Sequence, residues 1–143
     1  QAMMDQRTPV AWSRPHRPGR ARVLIEGPDA ALWFSDFRLF DEAGLDVALC
    51  HGPDSREPCP LVLHAECLLA PDADVVVMGR GLPAHDRTEM AAAWRHHHPG
   101  TPVLAEVSVA AGEAAPRGCI PLPCPSSVPG QIAAIWRALG QTV

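Results

Sequence analysis

The sequence predicts an α/β domain built on one open, parallel, helix-covered sheet of five strands. Three observations predict it. Strand and helix patterns alternate five times along the chain. The run DVVVM, residues 74 to 78, is apolar and β-branched on both faces, as in a strand covered by helices on each side. The 143 residues are 47% apolar, enough for one core and short for two.

Each element follows from local pattern. Residues 1 to 20 are rich in Pro and Arg without periodicity, and are expected to form a flexible tail ahead of one domain spanning 21 to 143. RVLIE (22–26) reads as the first strand. After the turn GPD, residues 30 to 43 place Trp33, Phe37 and Phe40 at helical spacing, and Gly44 stops that helix. LDVALC (45–50) is a second strand. Residues 51 to 60 are broken by Pro and Gly, and 61 to 69 suit either a strand or a short helix. After the strand at 74–78, Asp86 and Glu89 read as a capping box for a helix running to His97, with Met90 and Trp94 inward. TPVLAEV (101–107) is the fourth strand, and 108–118 holds a weak helical turn at most. CIPLPCP (119–125) carries prolines and is expected at a sheet edge. The last helix starts near Ser127, with Ile132, Ile135, Trp136 and Leu139 on one stripe.

Composition excludes several classes of function. The formal charge is −4, without a basic stripe, so nucleic acid is not an expected partner. No apolar run approaches the 18 residues of a membrane span, and no signal-peptide core stands near the first residue, which favours the cytoplasm. The nucleotide patterns GxGxxG and GxxxxGK[ST] and the nucleophile pattern GxSxG are absent.

RVLIE, DVVVMGRGLP, HHHPGTPVL and LPCPSS, in that order and spacing over residues 21 to 140, resemble the receiver domains of two-component response regulators. The resemblance implies a flavodoxin-like three-layer sandwich with strand order 2-1-3-4-5. It also implies a phosphoryl-accepting aspartate after strand three, an acidic Mg²⁺-binding pair after strand one, a Thr or Ser after strand four, and a lysine before a proline that is often cis. Here those places fall on Gly79, on Glu26 with Gly27 and Pro28, on Val107 with Ser108, and on Cys124 before Pro125. Glycine offers no carboxylate and cysteine no cation, and one glutamate is too few ligands for a hard cation. The connections expected to hold helices two and four are also short. A degenerate receiver is therefore expected.

Other candidates remain beside it. Gly79, Arg80 and Gly81 are read either as an anion cradle or as a plain tight turn. Cys50, Cys59 and Cys67 are read as disulfide candidates, as metal ligands with His64, or as inert thiols; five cysteines leave at least one unpaired. Cys124 is either a reactive thiol or an apolar filler. His96, His97 and His98 fan around a helix and cannot all face one ion. Trp33, Phe34, Phe37 and Phe40 are interface candidates, because one helix cannot bury them all on one sheet. The leading expectation is a non-catalytic signalling or regulatory module that contacts a protein, a second copy of the chain being one option, with no cofactor and no metal site assigned. The competing expectation is a small-ligand, metal or thiol redox sensor that uses the strand-end loops and cysteines.

Overall fold

A computed structural model of the chain describes Trp12 and residues 15–28, 37–53 and 59–140. Five parallel strands form one sheet in the order β2-β1-β3-β4-β5, with β1 Ala21–Glu26, β2 Leu45–Cys50, β3 Val75–Met78, β4 Val103–Ser108 and β5 Ile120–Cys124. The helices are α1 Phe37–Glu42, α2 Ala84–His97 and α3 Val128–Ala138, with one 3₁₀ turn at Ala70–Asp72.

Alternation along the strands sorts the core into two layers. Leu24, Val76, Met78 and Ala105 face one side, where Met90 and Trp94 of α2 cover them. Val23, Ile25, Val75, Val77 and Leu104 face the other, where Phe40 of α1 and Ile135 of α3 cover them. The central strand β3 is therefore apolar on both faces, which is why DVVVM is legible as a covered strand. β5 sits at the edge. Its prolines at 121 and 123 occupy alternate positions, so both missing N–H groups fall on the side away from β4.

The helix boundaries differ from the sequence reading in instructive ways. α2 begins at Ala84, with Pro83 at its N-cap and no side-chain cap. Asp86 lies inside the first turn, and Glu89 pairs with His85 at 2.9 Å, so the expected capping box does not form. Proline at 83 fixes φ at −58° and lets the helix start directly behind it. α3 starts as expected: Ser127 accepts from Gly130 N at 3.2 Å. Residues 30–36 of the expected first helix lie outside the described residues. Among the described residues of the second and fourth connections no α-helix forms; 60–64 is a turn, and 109–119 consists of turns and irregular chain.

The described part of the proline-rich segment is docked. Arg20 Nη2 donates to Asp46 Oδ1 at 2.8 Å and to Asp41 Oδ1 at 2.7 Å, tying the start of β1 to α1 and β2. Arg22 lies over the Trp12 ring, 5.2 Å from its centroid.

Candidate functional site at the strand ends

In an open parallel sheet, ligand-binding groups gather beyond the carboxyl ends of the strands. Here those ends carry Glu26, Cys50, Gly79, Glu106, Ser108 and Cys124. The fold divides them between two places.

Glu26 shares the strand face of Leu24, so its side chain turns toward α2. It is 3% exposed, and its Oε1 accepts from Trp94 Nε1 at 3.3 Å. Burial pushes its pKa up to about 7, against a smaller opposite effect of the Trp94 hydrogen bond. The partly buried Cys50, Cys59 and Cys67 pack against the same apolar layer. Burial, reinforced by the nearby Glu26 carboxylate, pushes the Cys50 thiol up to about 12 and raises Cys59 as well. The disulfide considered among these three is not formed: all five cysteines are free. Cys50, Cys59 and Cys67 pack on the α2 side of the sheet as separate small groups.

The second place lies between the ends of β3, β4 and β5. Gly79 N donates to the Glu26 carbonyl at 2.8 Å, continuing the ladder one residue past β3. Leu82 N then bonds the Gly79 carbonyl at 3.3 Å and closes a tight turn. Neither Gly79 nor Gly81 has positive φ, so the turn does not need glycine for its backbone.

Glu106 fills the space beside this turn. One carboxylate oxygen accepts from Arg80 N at 3.1 Å, and the other from Cys124 Sγ at 3.2 Å. Its backbone carbonyl accepts from Arg87 Nη2 at 2.6 Å, and Arg87 is itself only 5% exposed. The Arg80 guanidinium meets Glu113 at 3.4 Å. Of the turn amides and the arginine that the anion reading rests on, the Arg80 amide and the Arg80 guanidinium both meet carboxylates of the chain. That pairing favours the turn reading.

Cys124 is neither reactive nor a plain filler. Burial and its hydrogen bond to Glu106 push its thiol up to about 11, so at neutral pH it is an S–H donor. The bond from Cys124 to Pro125 is cis, as the family resemblance implies. Val107 is buried, and Ser108 is spent on a local turn, its Oγ accepting from Ala111 N at 3.2 Å. A cavity of about 300 Å³ lies elsewhere, at the opposite end of the sheet, lined by Arg95, Pro99, Thr101 and Cys119 among others.

Three residues of these clusters escaped the sequence reading. Glu106 was only one letter of a strand, yet an acid inside the apolar run VLAEV is a usable signal, since it must find donors when buried. Arg87 carried no signal beyond its helix. Trp94 was read as apolar, and its indole N–H was not assigned a partner. Of the interface candidates, Phe40 is corrected: it is 1% exposed and lies in the core, while Leu39 points outward. Trp33, Phe34 and the Phe37 side chain lie outside the described residues.

The three consecutive histidines part company. His98 lies against Trp94, with ring centroids 5.4 Å apart, whereas His96 and His97 meet His64 of the second connection. His97 is held below the ordinary histidine range, by partial desolvation and then by the imidazoles of His96, His64 and His98.

No family model and no curated protein matches the chain. Solved structures do. A response regulator receiver domain protein from Clostridium thermocellum aligns over 84% of this chain and 94% of its own, at 16% identity and a TM-score of 0.60. A Burkholderia pseudomallei protein provisionally assigned to pilus assembly aligns over 92% and 98%, at 18% identity and a TM-score of 0.60. The receiver domain of the hybrid histidine kinase CckA aligns over 82% and 98%, at 19% identity and a TM-score of 0.58. The chain has a receiver-like fold, with the five-stranded order 2-1-3-4-5 that the sequence implied.

Proposed function

We propose that this chain is a regulatory module that works through protein contacts, with its phosphoacceptor site replaced by an internal hydrogen-bond cluster. The observation that carries this reading is Glu106. Where a receiver would gather an aspartate, a divalent cation and a lysine, Glu106 accepts from the Arg80 amide and the Cys124 thiol. Both carboxylate oxygens are engaged and the residue is buried, so it is poorly placed to attack a phosphoryl group. Glu26 faces α2 under Trp94 and cannot join it in a cation cage without leaving that partner. The chain contains no lysine at all, and its nearby buried cation, Arg87, is committed to the Glu106 carbonyl.

Aspartyl or glutamyl phosphorylation needs a free carboxylate nucleophile and metal-assisted charge neutralisation. Among the described residues at the strand ends, both carboxylates, Glu26 and Glu106, already have partners within the chain, which supports this reading. A receiver-like fold without that chemistry still presents helix and edge-strand surfaces, and binding surfaces can be kept when catalysis is not. The raised pKa values of the partly buried Cys50 and Cys124 thiols count against a thiol sensor at this end of the sheet.

The test is incubation of the chain with acetyl phosphate and Mg²⁺, followed by intact mass measurement at neutral pH. The expected result is an unchanged mass. A stoichiometric, hydroxylamine-labile phosphoryl adduct that disappears in Glu106→Gln would overturn the reading.

A further inference from the structure

We propose that His64, His96 and His97 form a binding site for a divalent first-row transition ion of the zinc type, one that staples the second connection to the end of α2. The donor nitrogens of the three side chains all lie within 4.8 Å of one another. His64 Nδ1 and His97 Nε2 are 3.0 Å apart, and the His96 and His97 ring centroids are 4.8 Å apart. A zinc–nitrogen bond is about 2.0 to 2.1 Å, which places tetrahedral donors roughly 3.3 Å from each other. The trio is therefore within a side-chain adjustment of that geometry.

The backbone is arranged for this convergence. His64 closes the turn at 60–64, with its amide donating to the Leu61 carbonyl at 3.1 Å. It has φ +59°, and among the described residues it is the one non-glycine with positive φ. A histidine in that conformation costs on the order of 1 kcal/mol, yet Gly or Asn would fit more easily. The chain holds a histidine there, and the turn brings its ring onto the last turn of α2. The Leu61 carbonyl of the same turn also lies within hydrogen-bonding reach of the His97 ring. Such a carbonyl is the usual outer partner of a metal-bound imidazole.

The chemistry of the donors selects the ion. Three imidazoles and no carboxylate favour zinc, nickel, copper or cobalt over magnesium or calcium, which want oxygen. Among the described residues, the histidines paired with carboxylates are His16 and His85, so none of this trio is committed to an acid. His64 and His96 are exposed, leaving a fourth position to water. The ion would close a loop of 33 residues between His64 and His97, across a connection that has no α-helix among its described residues.

The site is independent of the strand-end reading, and so is its test. Tag-free chain, stripped with a chelator, is titrated with Zn²⁺ by calorimetry and with Co²⁺ by visible absorption. One ion per chain is expected, with a Co²⁺ spectrum lacking the near-ultraviolet band of thiolate ligation, and a thermal midpoint that rises with Zn²⁺. His64→Asn, which suits the positive φ, and His97→Ala should each weaken binding by about 100-fold or more. His98→Ala and Cys59→Ser should leave it unchanged. The proposal is overturned if Zn²⁺ fails to bind, if His64→Asn binds as tightly as the parent while folded by circular dichroism, or if Cys59→Ser abolishes the site.

Discussion

The strand-end cluster and the histidine cluster are both groups of titratable side chains, and they are satisfied in opposite ways. At the strand ends the two described glutamates each have an internal donor: Glu26 has Trp94, and Glu106 has Arg80 N and Cys124. At the end of α2, three imidazoles face one another with donor nitrogens to spare and no acid between them. A buried polar group must be paired within the protein or cost several kcal/mol. An exposed one can wait for a ligand. On the proposed reading, the strand ends are closed by the chain itself, and the open valences lie at the end of α2.

The largest effect that would break this contrast is on thiol chemistry. If the strand-end region is closed, Cys50 stays protonated, with its pKa pushed up to about 12. Relative to an ordinary thiol at 9.0, its thiolate fraction at pH 8 falls by roughly 1,000-fold. Alkylation of the native chain with iodoacetamide, mapped by peptide mass, should therefore leave Cys50 essentially unmodified while unfolded chain reacts at every cysteine. Rapid labelling of Cys50 in folded protein would show that the region opens to solvent.

Next in size is the pH dependence set by Glu26. Its folded pKa, about 7, lies above the ordinary value of 4.5, so the folded state binds the proton more tightly than the unfolded chain. The stabilisation is full below about pH 4.5 and is lost as pH rises through 7. The total is on the order of 3 kcal/mol. Glu26→Gln keeps an oxygen for Trp94 and removes the ionisation. It should unfold at higher urea than the parent at pH 8, with a flatter stability profile between pH 5 and 8. Identical profiles for parent and variant would mean that Glu26 is not held neutral by burial.

How much of this was legible in the sequence follows from which forces wrote it. The covered strands, the inward Met90 and Trp94 and the stripe on α3 are set by apolar periodicity, and all appear where the pattern puts them. The start of α2 was misread because Asp86 and Glu89 imitate a capping box, while Pro83 had already fixed the entry. Glycine at 79 and cysteine at 124 stand, by the receiver resemblance, where an aspartate and a lysine are expected, and their identities alone raise the degenerate reading. Glu106 as their replacement could not be announced, because its partners are a backbone amide and a thiol contributed by other strands. The histidine trio was hidden for the same reason: His64 lies 33 residues from His97, and only the unusual turn at 60–64 brings them together.

The smallest expected effects set the two regions side by side. Glu106→Ala removes the carboxylate acceptor of the Arg80 amide and the Cys124 thiol, leaving the thiol only its longer contact with the Leu122 carbonyl, at 3.8 Å. The cost should be about 2 kcal/mol, seen as a lower urea midpoint, while Glu106→Gln keeps one acceptor and should cost less. His64→Asn, measured in the presence of a chelator, removes the exposed His64–His97 hydrogen bond and suits the positive φ. Its stability should stay within about 0.5 kcal/mol of the parent, or rise slightly. The contrast between the regions fails if the order reverses. A His64→Asn loss as large as that of Glu106→Ala, without metal present, would mean that the histidines are structural partners of one another, and that the closed and the open cluster do the same work.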